Sequence, residues 1–334
     1  MERIESLRQW LQSILGDDAF ALSPASNDAS FRRYFRVRFD DGRTSLIAMD
    51  APPGREDCRP YVHVAELFAA AGVHVPAVHA RSLDQGFLLL SDLGDTTYLA
   101  TLGAAQDSAD RLYGDALDAL VRIQLASRPG ALPVYGRQLL ARELALFPDW
   151  YVARQLGRQL TSDQRRTLED GFSLLLANNL AQPCVFVHRD YHSRNLMLAE
   201  PNPGILDFQD AVYGPVTYDL VSLLRDAYIS WPQERVIHWC IRYWEKARRA
   251  DLPVAADFAA FYRDFEWMGA QRQIKVLGIF ARLCYRDGKD GYLRDQPLVM
   301  RYLRGTCERY RELAPLARLL DELEPTERKI GYTF

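Results

Sequence analysis

Two short segments near the middle of the chain decide its fold: residues 185–197, VFVHRDYHSRNLM, and residues 204–214, GILDFQDAVYG. In the first segment, apolar residues on both sides of HRDYHSRN predict two short buried strands joined by a polar loop. In the second segment, a short apolar run ends at Asp207. The pattern therefore places Asp190, Asn195 and Asp207 at strand ends, where we expect their side chains to face one point.

These three side chains form the set that phosphoryl transfer from a nucleotide requires. One carboxylate accepts the proton of the attacking hydroxyl, and hard oxygen ligands hold Mg²⁺ on the nucleotide phosphates. We therefore expect Asp190 to be the catalytic base and Asn195 and Asp207 to be metal ligands, with ATP and Mg²⁺ as cofactors. His188 is interpreted as a brace of the catalytic loop. In the alternative interpretation the polar residues only cap loops and turns, which requires three positions to coincide by chance.

The residues around these segments predict two lobes. Between residues 20 and 93, alternating apolar and polar residues with turn signals predict the order β-β-β-α-β-β. Helical periodicity follows, and it dominates residues 217–320. We predict an α+β protein with a protein-kinase-like bilobal fold, in which a small β-rich N-lobe binds nucleotide and a larger, mainly helical C-lobe carries the catalytic and substrate-binding residues. The expected boundaries are 1–91 and 92–334, with a hinge at about 91–95.

Length and composition exclude several other classes of protein. The 334 residues carry a net charge of -3, which does not indicate binding to nucleic acid or to a membrane surface. No apolar run is long enough to span a membrane, and the first residues predict an amphipathic helix and not a signal peptide. The five cysteines are scattered, which is typical of reduced thiols. We expect a cytoplasmic protein whose partners are ATP and a small molecule, with no obligatory protein partner.

The two central segments also carry a family resemblance. VHRDYHSRNLM followed by GILDFQDAVYGPVTYDL resembles the aminoglycoside phosphotransferase and choline kinase family of protein-kinase-like enzymes. The resemblance extends over about residues 20–310. It implies that Ser91, Asp92 and Leu93, within FLLLSDLG, lie along the adenine of ATP. It also implies that Asp219 supports the catalytic loop.

Further stretches resemble one branch of that family. DASFRRYFRV, LFPDWY and RQIKVLGIFARLCYRDGK are similar to anomeric amino-sugar kinases of bacterial cell-wall recycling, which phosphorylate the C1 hydroxyl of N-acetylmuramate and N-acetylglucosamine. An amino-sugar substrate is therefore expected. The carboxylate of N-acetylmuramate calls for a basic partner, for which Arg272 and Lys275 are candidates. The other candidate residues of the sugar pocket are Glu143, Trp150, His192, Gln209, Asp210 and Tyr213. A kinase for an aminoglycoside, choline or homoserine remains the competing hypothesis.

The chain departs from protein kinases at one position of the nucleotide site. Protein kinases hold the ATP phosphates with a lysine on the third strand. This chain has no lysine before Lys246, and Met49 stands where that lysine belongs. Glu66 is the candidate for the glutamate that pairs with the lysine in protein kinases. One explanation is a pseudokinase that binds nucleotide without turnover.

The other explanation is that an arginine replaces the missing lysine. The stretch SFRRYFR places Arg32, Arg33 and Arg36 next to the predicted phosphate loop. That loop contains no glycine, but small residues such as Ser30 allow backbone N–H groups to approach phosphate. Because the base and both metal ligands are present, we favour an active enzyme with a substituted cation.

Overall fold

The computed structural model describes residues 2–16, 20–26 and 31–324, and it divides the chain into two compact units. The first unit comprises residues 1–126 and 188–211, and the second comprises residues 127–187 and 212–334. These units are defined by compactness and not by lobes, so the lobe boundary expected near residue 91 stays a prediction. Neither unit is continuous in sequence.

The first unit contains the predicted β-rich region, and the order β-β-β-α-β-β between residues 20 and 93 is confirmed. Asp41-Gly42, a dipeptide typical of hairpin turns, lies in the loop between the second and third strands, where Gly42 has a φ of +80°. In the described residues of this unit, the helices and strands are α1 (Glu2–Leu15), β1 (Phe20–Ser26), β2 (Arg33–Phe39), β3 (Leu46–Asp50), α2 (Arg59–Ala70), β4 (Val78–Ser82), β5 (Phe87–Ser91), α3 (Tyr98–Ala104), α4 (Ala109–Leu125), β7 (Leu196–Met197) and β8 (Gly204–Ile205).

An antiparallel sheet with the strand order β1-β2-β3-β5-β4 forms the centre of this region. Successive side chains of a strand point to opposite faces, so the sheet has two distinct sides. On one side, Leu7 and Leu11 of α1 pack against the buried residues Phe35, Val37 and Ala48. Helix α1 therefore covers one face of the sheet, and the opposite face carries Met49, which is paired with Tyr34 and Leu88.

Helix α2 packs against the segment that carries Asp207. A proline near its start and Gly72 beyond its end, with a φ of +74°, fit the asymmetry expected of helix termini. The ring of Tyr61 lies 4.8 Å from that of Phe208, and the ring of Phe68 lies 5.9 Å from it. Because Phe208 follows Asp207 directly, α2 fixes the position of that aspartate from one side.

The predicted polar loop lies between strands, as the sequence pattern indicates. Strands β7 and β8 form a short antiparallel hairpin in which Leu196 pairs with Ile205. The ladder continues with a hydrogen bond of 2.9 Å from the N–H of Leu206 to the carbonyl of Asn195. This register places Asn195 and Asp207 at the same end of the hairpin.

The second unit is mainly helical, as the periodicity over residues 217–320 predicts. The pattern Thr161-x-x-Gln164, which predicts a helix start, forms a capping box at the beginning of helix α6 (Ser162–Ala181). No helix in the described part of the chain is both long and apolar enough to cross a membrane. The elements described in this unit are α5 (Arg137–Leu146), α6 (Ser162–Ala181), β6 (Cys184–Val187), β9 (Val212–Pro215), α7 (Tyr218–Leu224), α8 (Gln233–Arg249), α9 (Phe258–Asp287), α10 (Gln296–Arg309) and α11 (Ala314–Leu323).

Helix α9 is the central element of the second unit, and it approaches α5 closely. A Cβ placed on Gly278 of α9 would lie 2.5 Å from the carbonyl carbon of Leu146 and 2.7 Å from its oxygen. Backbone atoms cannot rotate away as a side chain can. The absence of a side chain at Gly278 therefore sets the distance between the two helices.

We expect Gly278→Ala to lower the free energy of unfolding by about 1–3 kcal/mol, because overpacking forces the helices apart. Gly305→Ala in α10 is the matched control, since no atom lies within 4 Å of the added Cβ. That change should raise stability by about 0.5–1 kcal/mol through helix propensity. Denaturant unfolding of both variants checks this, and equal effects would contradict the close approach.

Candidate active site

The catalytic loop that follows β6 is held together by His188. This residue is fully buried, and the N–H of Asp190 donates to its Nδ1 at 3.3 Å. The proton of the neutral ring is therefore on Nε2, which lies 2.9 Å from the carbonyl oxygen of Leu206. The side chain of His188 thus links the backbone of Asp190, the predicted base, to that of Leu206, which precedes the predicted metal ligand Asp207.

The loop is further fixed by its own turns and by α4. Asp190 accepts through its carbonyl from the N–H of His192 at 3.0 Å, and the hydroxyl of Tyr191 donates to the carbonyl of Ala116 at 2.7 Å. Arg189 and Asp207 adopt positive φ values of 78° and 62°. Such conformations are uncommon for residues with a side chain and cluster at functional sites.

Asn195 and Asp207 are brought together, as the spacing predicts. The side-chain amide of Asn195 donates to the carbonyl of Asp190 at 3.0 Å and lies 3.4 Å from Oδ2 of Asp207. Gln209 donates to Oδ1 of Asp207 at 2.8 Å. The side chain of Asp207 is 39% exposed, so a ligand can reach its carboxylate.

The donor set at this point fits Mg²⁺. In proteins this ion takes oxygen ligands and is held by one or two side chains together with substrate phosphates and water. The Asn195 amide nitrogen is directed at Asp190 and Asp207, which leaves its oxygen on the other side of the amide group. Within residues 2–16, 20–26 and 31–324, no group of three or more His, Cys, Asp and Glu side chains forms a metal site. A phosphate-dependent ion site does not need one.

The other predicted residues of this segment lie around the metal-ligand candidates. Gln209 is nearly buried and also lies 3.4 Å from the carboxylate of Asp210, which is exposed. His192 belongs to the catalytic turn, where its carbonyl accepts from the N–H of Asn195 at 2.9 Å. These three residues share the first unit with Asp190, whereas the remaining sugar-pocket candidates lie in the second unit.

The structure gives each of the three candidate arginines a different partner. Arg33 pairs with the fully buried carboxylate of Asp50, which Arg3 also contacts. Arg36 pairs with Asp92 at 2.6 Å. Arg32 lies 3.9 Å from Oδ1 of Asp207.

The other three candidates for nucleotide contact are Met49, Glu66 and Ser30. Met49 is buried on β3 with 1% exposure. Glu66 is largely exposed and pairs with Arg81 at 3.4 Å. Ser30 lies outside the residues that the structure describes.

The predicted hinge is fixed by side-chain hydrogen bonds that the sequence pattern does not reveal. The Ser91 hydroxyl accepts from the N–H of Ala77 at 2.8 Å. The carboxylate of Asp92 accepts from Ser45 at 2.7 Å, and the N–H of Gly94 donates to it at 3.0 Å. Leu93 is almost buried. The carboxylate of Asp92 is therefore hydrogen-bonded within the protein, which leaves the backbone of this segment as the part that could contact an adenine ring.

In the second unit, three of the predicted substrate residues (Glu143, Arg272 and Lys275) belong to one buried group, which we call the α9 polar cluster (Tyr135, Glu143, Tyr218, Gln271, Arg272 and Lys275). Lys275 lies 3.0 Å from the carboxylate of Glu143 and donates to the hydroxyl of Tyr218 at 2.8 Å. Arg272 donates to the same hydroxyl at 3.2 Å, and Gln271 lies 3.5 Å from Glu143. The Tyr135 hydroxyl donates to Glu143 as well.

The remaining two candidates of this unit have different surroundings. The backbone of Tyr213 in β9 is hydrogen-bonded to Tyr135, with 2.8 Å between the N–H of Tyr135 and the carbonyl of Tyr213. Trp150 is half-buried in a π-helical segment at Phe147–Gln155. The sequence does not predict Tyr135 and Tyr218 as members of this cluster; Lys275, between apolar residues in QIKVLGIF, is its one sequence signal.

The model of the phosphotransferase enzyme family matches residues 21–260, which include the catalytic loop, Asp207 and the hinge. The chain belongs to this family. The predicted kinase-like class and the phosphotransferase activity are thereby confirmed.

Curated relatives cover the whole length of this phosphotransferase. The N-acetylmuramate/N-acetylglucosamine kinase of Neisseria meningitidis serogroup B is 51% identical over 337 residues, which are 100% of both chains. The kinase of the same name from Pseudomonas aeruginosa is 51% identical over 331 residues, which are 96% of this chain and 97% of the relative.

Solved structures share the fold at low sequence identity. A choline/ethanolamine kinase family protein from Mesorhizobium loti has a TM-score of 0.61 at 16% identity, over 95% of this chain and 99% of that one. An ADP-bound aminoglycoside phosphotransferase has a TM-score of 0.57 at 13% identity, over 89% and 97% of the two chains. The predicted α+β, kinase-like fold of this phosphotransferase is confirmed.

The buried imidazole makes the stability of the phosphotransferase depend on pH. Burial lowers the pKa of His188 from 6.5 to about 4, with the charge of Asp190 opposing the shift. In the unfolded chain the imidazole is protonated below about pH 6.5, whereas in the folded chain it stays neutral down to about pH 4. Protonation in this range therefore favours the unfolded chain, so the folded state loses stability as the pH falls from 6.5 toward 4. Between pH 7 and 4.5, we expect wild type to lose about 2–3 kcal/mol more than a His188→Gln variant.

Denaturant unfolding at the two pH values measures this difference. His79→Gln, which removes an exposed imidazole from the same unit, is the matched control and should keep the wild-type pH dependence. Equal pH dependence of wild type and His188→Gln would show that His188 is not the neutral buried group.

Proposed function

We propose that this phosphotransferase is an ATP-dependent kinase of N-acetylmuramate and N-acetylglucosamine that acts in the cytoplasm and phosphorylates the C1 hydroxyl of the sugar. The hydrogen-bonded arrangement of Asp190, Asn195 and Asp207 carries this proposal, because it brings two carboxylates and one amide group together in one loop and hairpin. The identity of 51% over the full length to kinases named for these two sugars supports the choice of substrate.

In the proposed reaction, Asp190 accepts the proton of the C1 hydroxyl while the sugar oxygen forms a bond to the γ-phosphorus of ATP. The bond from that phosphorus to the β,γ-bridging oxygen breaks, and ADP leaves. An anomeric hydroxyl is more acidic than an ordinary alcohol, so one carboxylate is a sufficient base. The hydrogen bonds of His188 and Tyr191 hold Asp190 in position, which is the main contribution a protein makes to this chemistry.

Asn195 and Asp207 would hold Mg²⁺ through the amide oxygen and the carboxylate. When bound, the ion neutralises charge on the phosphates of ATP. Gln209 keeps the Asp207 carboxylate oriented by its hydrogen bond to Oδ1. The hinge backbone of Ser91, Asp92 and Leu93 is proposed to lie along the adenine.

Recognition of the sugar is proposed to involve the α9 polar cluster. The two sugars differ in a lactyl carboxylate, which N-acetylmuramate carries and N-acetylglucosamine lacks. A guanidinium group matches a carboxylate with two parallel hydrogen bonds. Arg272 is oriented by the hydroxyl of Tyr218 at 3.2 Å and by stacking on its ring at 5.3 Å. We propose Arg272 as the partner of the lactyl carboxylate. Glu143, Trp150 and Tyr213 of the same unit stay proposed sugar contacts, as do His192, Gln209 and Asp210 of the first unit.

Replacement of the proposed base tests the reaction. We expect Asp190→Asn to lower kcat by about 10²- to 10⁴-fold, the usual contribution of a general base. The protein is incubated with ATP, Mg²⁺ and N-acetylmuramate, and the product is followed by ³¹P and ¹H NMR. The wild type should give a C1-phosphate signal, and the variant should bind ADP and unfold thermally as the wild type does.

The acceptor profile separates this proposal from its competitors. Transfer to an aminoglycoside, choline or homoserine, with none to either amino sugar, would replace it with another kinase of the family. Stabilisation by ATP and Mg²⁺ without any transfer would indicate a pseudokinase. The presence of Asp190, Asn195 and Asp207 together argues against the latter.

The proposed carboxylate contact predicts a difference between the two sugars. We expect Arg272→Met to raise the KM for N-acetylmuramate by about 10- to 100-fold, because a hydrogen bond to a charged group contributes about 1.5–3 kcal/mol. The KM for N-acetylglucosamine should change by less than about threefold on the same argument. Steady-state kinetics of one variant with both sugars provides its own control. An equal rise in both KM values would rule out a carboxylate-specific role.

A further inference from the structure

The stretch from Phe31 to Arg38 contains arginines whose directions follow from strand alternation. Arg33, Phe35 and Val37 lie on the face of the sheet that α1 covers, since Phe35 and Val37 pack against that helix. Even-numbered positions lie on the opposite face, which also carries Met49, because Tyr34 and Met49 are register partners. Arg32 immediately precedes β2, at the next even position beyond Tyr34.

Arg33 forms an ion pair with a buried carboxylate of the sheet. The carboxylate of Asp50 is fully buried, and both Arg3 and Arg33 contact it. A buried carboxylate that loses its cation is strongly destabilising, so Asp50 requires these arginines. Arg33 also lies on the face opposite Met49. It is therefore not positioned to supply the missing strand cation.

Arg36 is hydrogen-bonded to the predicted hinge segment. Its Nε and Nη2 atoms donate to the two carboxylate oxygens of Asp92 at 2.6 and 3.1 Å, and Nη2 also donates to the carbonyl of Gly94 at 2.9 Å. A bidentate pair of this kind fixes a guanidinium strongly. Arg36 thus fastens the segment at residues 92–94 to β2.

Arg32 differs from both, because its partner is the predicted metal ligand. Its guanidinium lies 3.9 Å from Oδ1 of Asp207, which is an ion-pair contact longer than a hydrogen bond. Only 11% of the Arg32 side chain is exposed. Charge interactions of Arg32, Tyr34 and Asp207 all act on the buried hydroxyl of Tyr61, so these groups share one neighbourhood.

The position of Arg32 also fits the missing lysine geometrically. Met49 faces Tyr34, and Arg32 stands two residues before Tyr34 on the same side, which is about 7 Å along the strand. An arginine side chain is long enough to cover that separation. Its guanidinium also matches the oxygens of a phosphate with paired hydrogen bonds and stays charged at every physiological pH.

We propose that Arg32 takes the place of the strand lysine, so that its guanidinium binds the phosphate oxygens of the nucleotide beside Asp207. This assignment rests on the proposed ATP-dependent function and names the residue that completes the nucleotide site. It also accounts for the buried, uncharged Met49: the cation has moved from β3 to the start of β2.

Calorimetric binding of Mg²⁺-ADP and of adenosine, without sugar, tests the assignment. Because adenosine lacks phosphates, we expect Arg32→Gln to weaken ADP binding at least tenfold while adenosine binding changes by less than twofold. Arg32→Lys should recover part of the loss. Arg38→Gln is the matched control, because it removes an exposed arginine on the same face of β2 and should leave both affinities unchanged.

The outcomes separate the two proposals. A wild-type protein that fails to bind ADP overturns both the ATP-dependent function and the role of Arg32. Wild-type ADP affinity in Arg32→Gln overturns the role of Arg32 alone. Equal losses of ADP and adenosine binding in Arg32→Gln also overturn it, since the residue would then shape the whole site and not contact phosphate.

Discussion

The geometry of the candidate active site depends on one buried imidazole, because His188 joins the two segments that carry Asp190 and Asp207. Its Nδ1 accepts from the backbone of Asp190 and its Nε2 donates to the carbonyl of Leu206. A protonated ring would keep the donor at Nε2 but lose the acceptor at Nδ1, so only the neutral ring, which full burial favours, makes both bonds at once. Arg189 and Asp207, next to these bonds, hold left-handed backbone conformations that cost roughly 1–3 kcal/mol each. The hydrogen bonds of His188 help to offset that cost and hold the segments of Asp190 and Asp207 together.

The elements of this fold were predictable because each has a local signal. Alternating residues gave the strands between residues 20 and 93, and Thr161 with Gln164 gave a helix start. The approach of Asn195 to Asp207 was predictable for the same reason, since a short hairpin separates them. Local patterns determine local geometry, and this part of the site is local.

The partners of the arginines could not be predicted, because they come from distant parts of the chain. Arg36 meets Asp92, 56 residues away, and Arg33 meets Asp50, 17 residues away. Side-chain alternation shows which way an arginine points but does not say which carboxylate it finds there. The contacts within the α9 polar cluster were not predicted for the same reason: Glu143 and Gln271 are 128 residues apart.

The interleaving of the two compact units constrains how the chain can fold as it is made. Residues 1–126 emerge from the ribosome first, but they lack the hairpin at residues 188–211 that belongs with them. Until that hairpin arrives, Tyr61 and Phe68 of α2 have no Phe208 to pack against. By then residues 127–187 of the other unit have already been synthesised. Each unit is thus completed only after part of the other has been synthesised, and a nascent chain that ends before residue 188 leaves Tyr61 and Phe68 without Phe208.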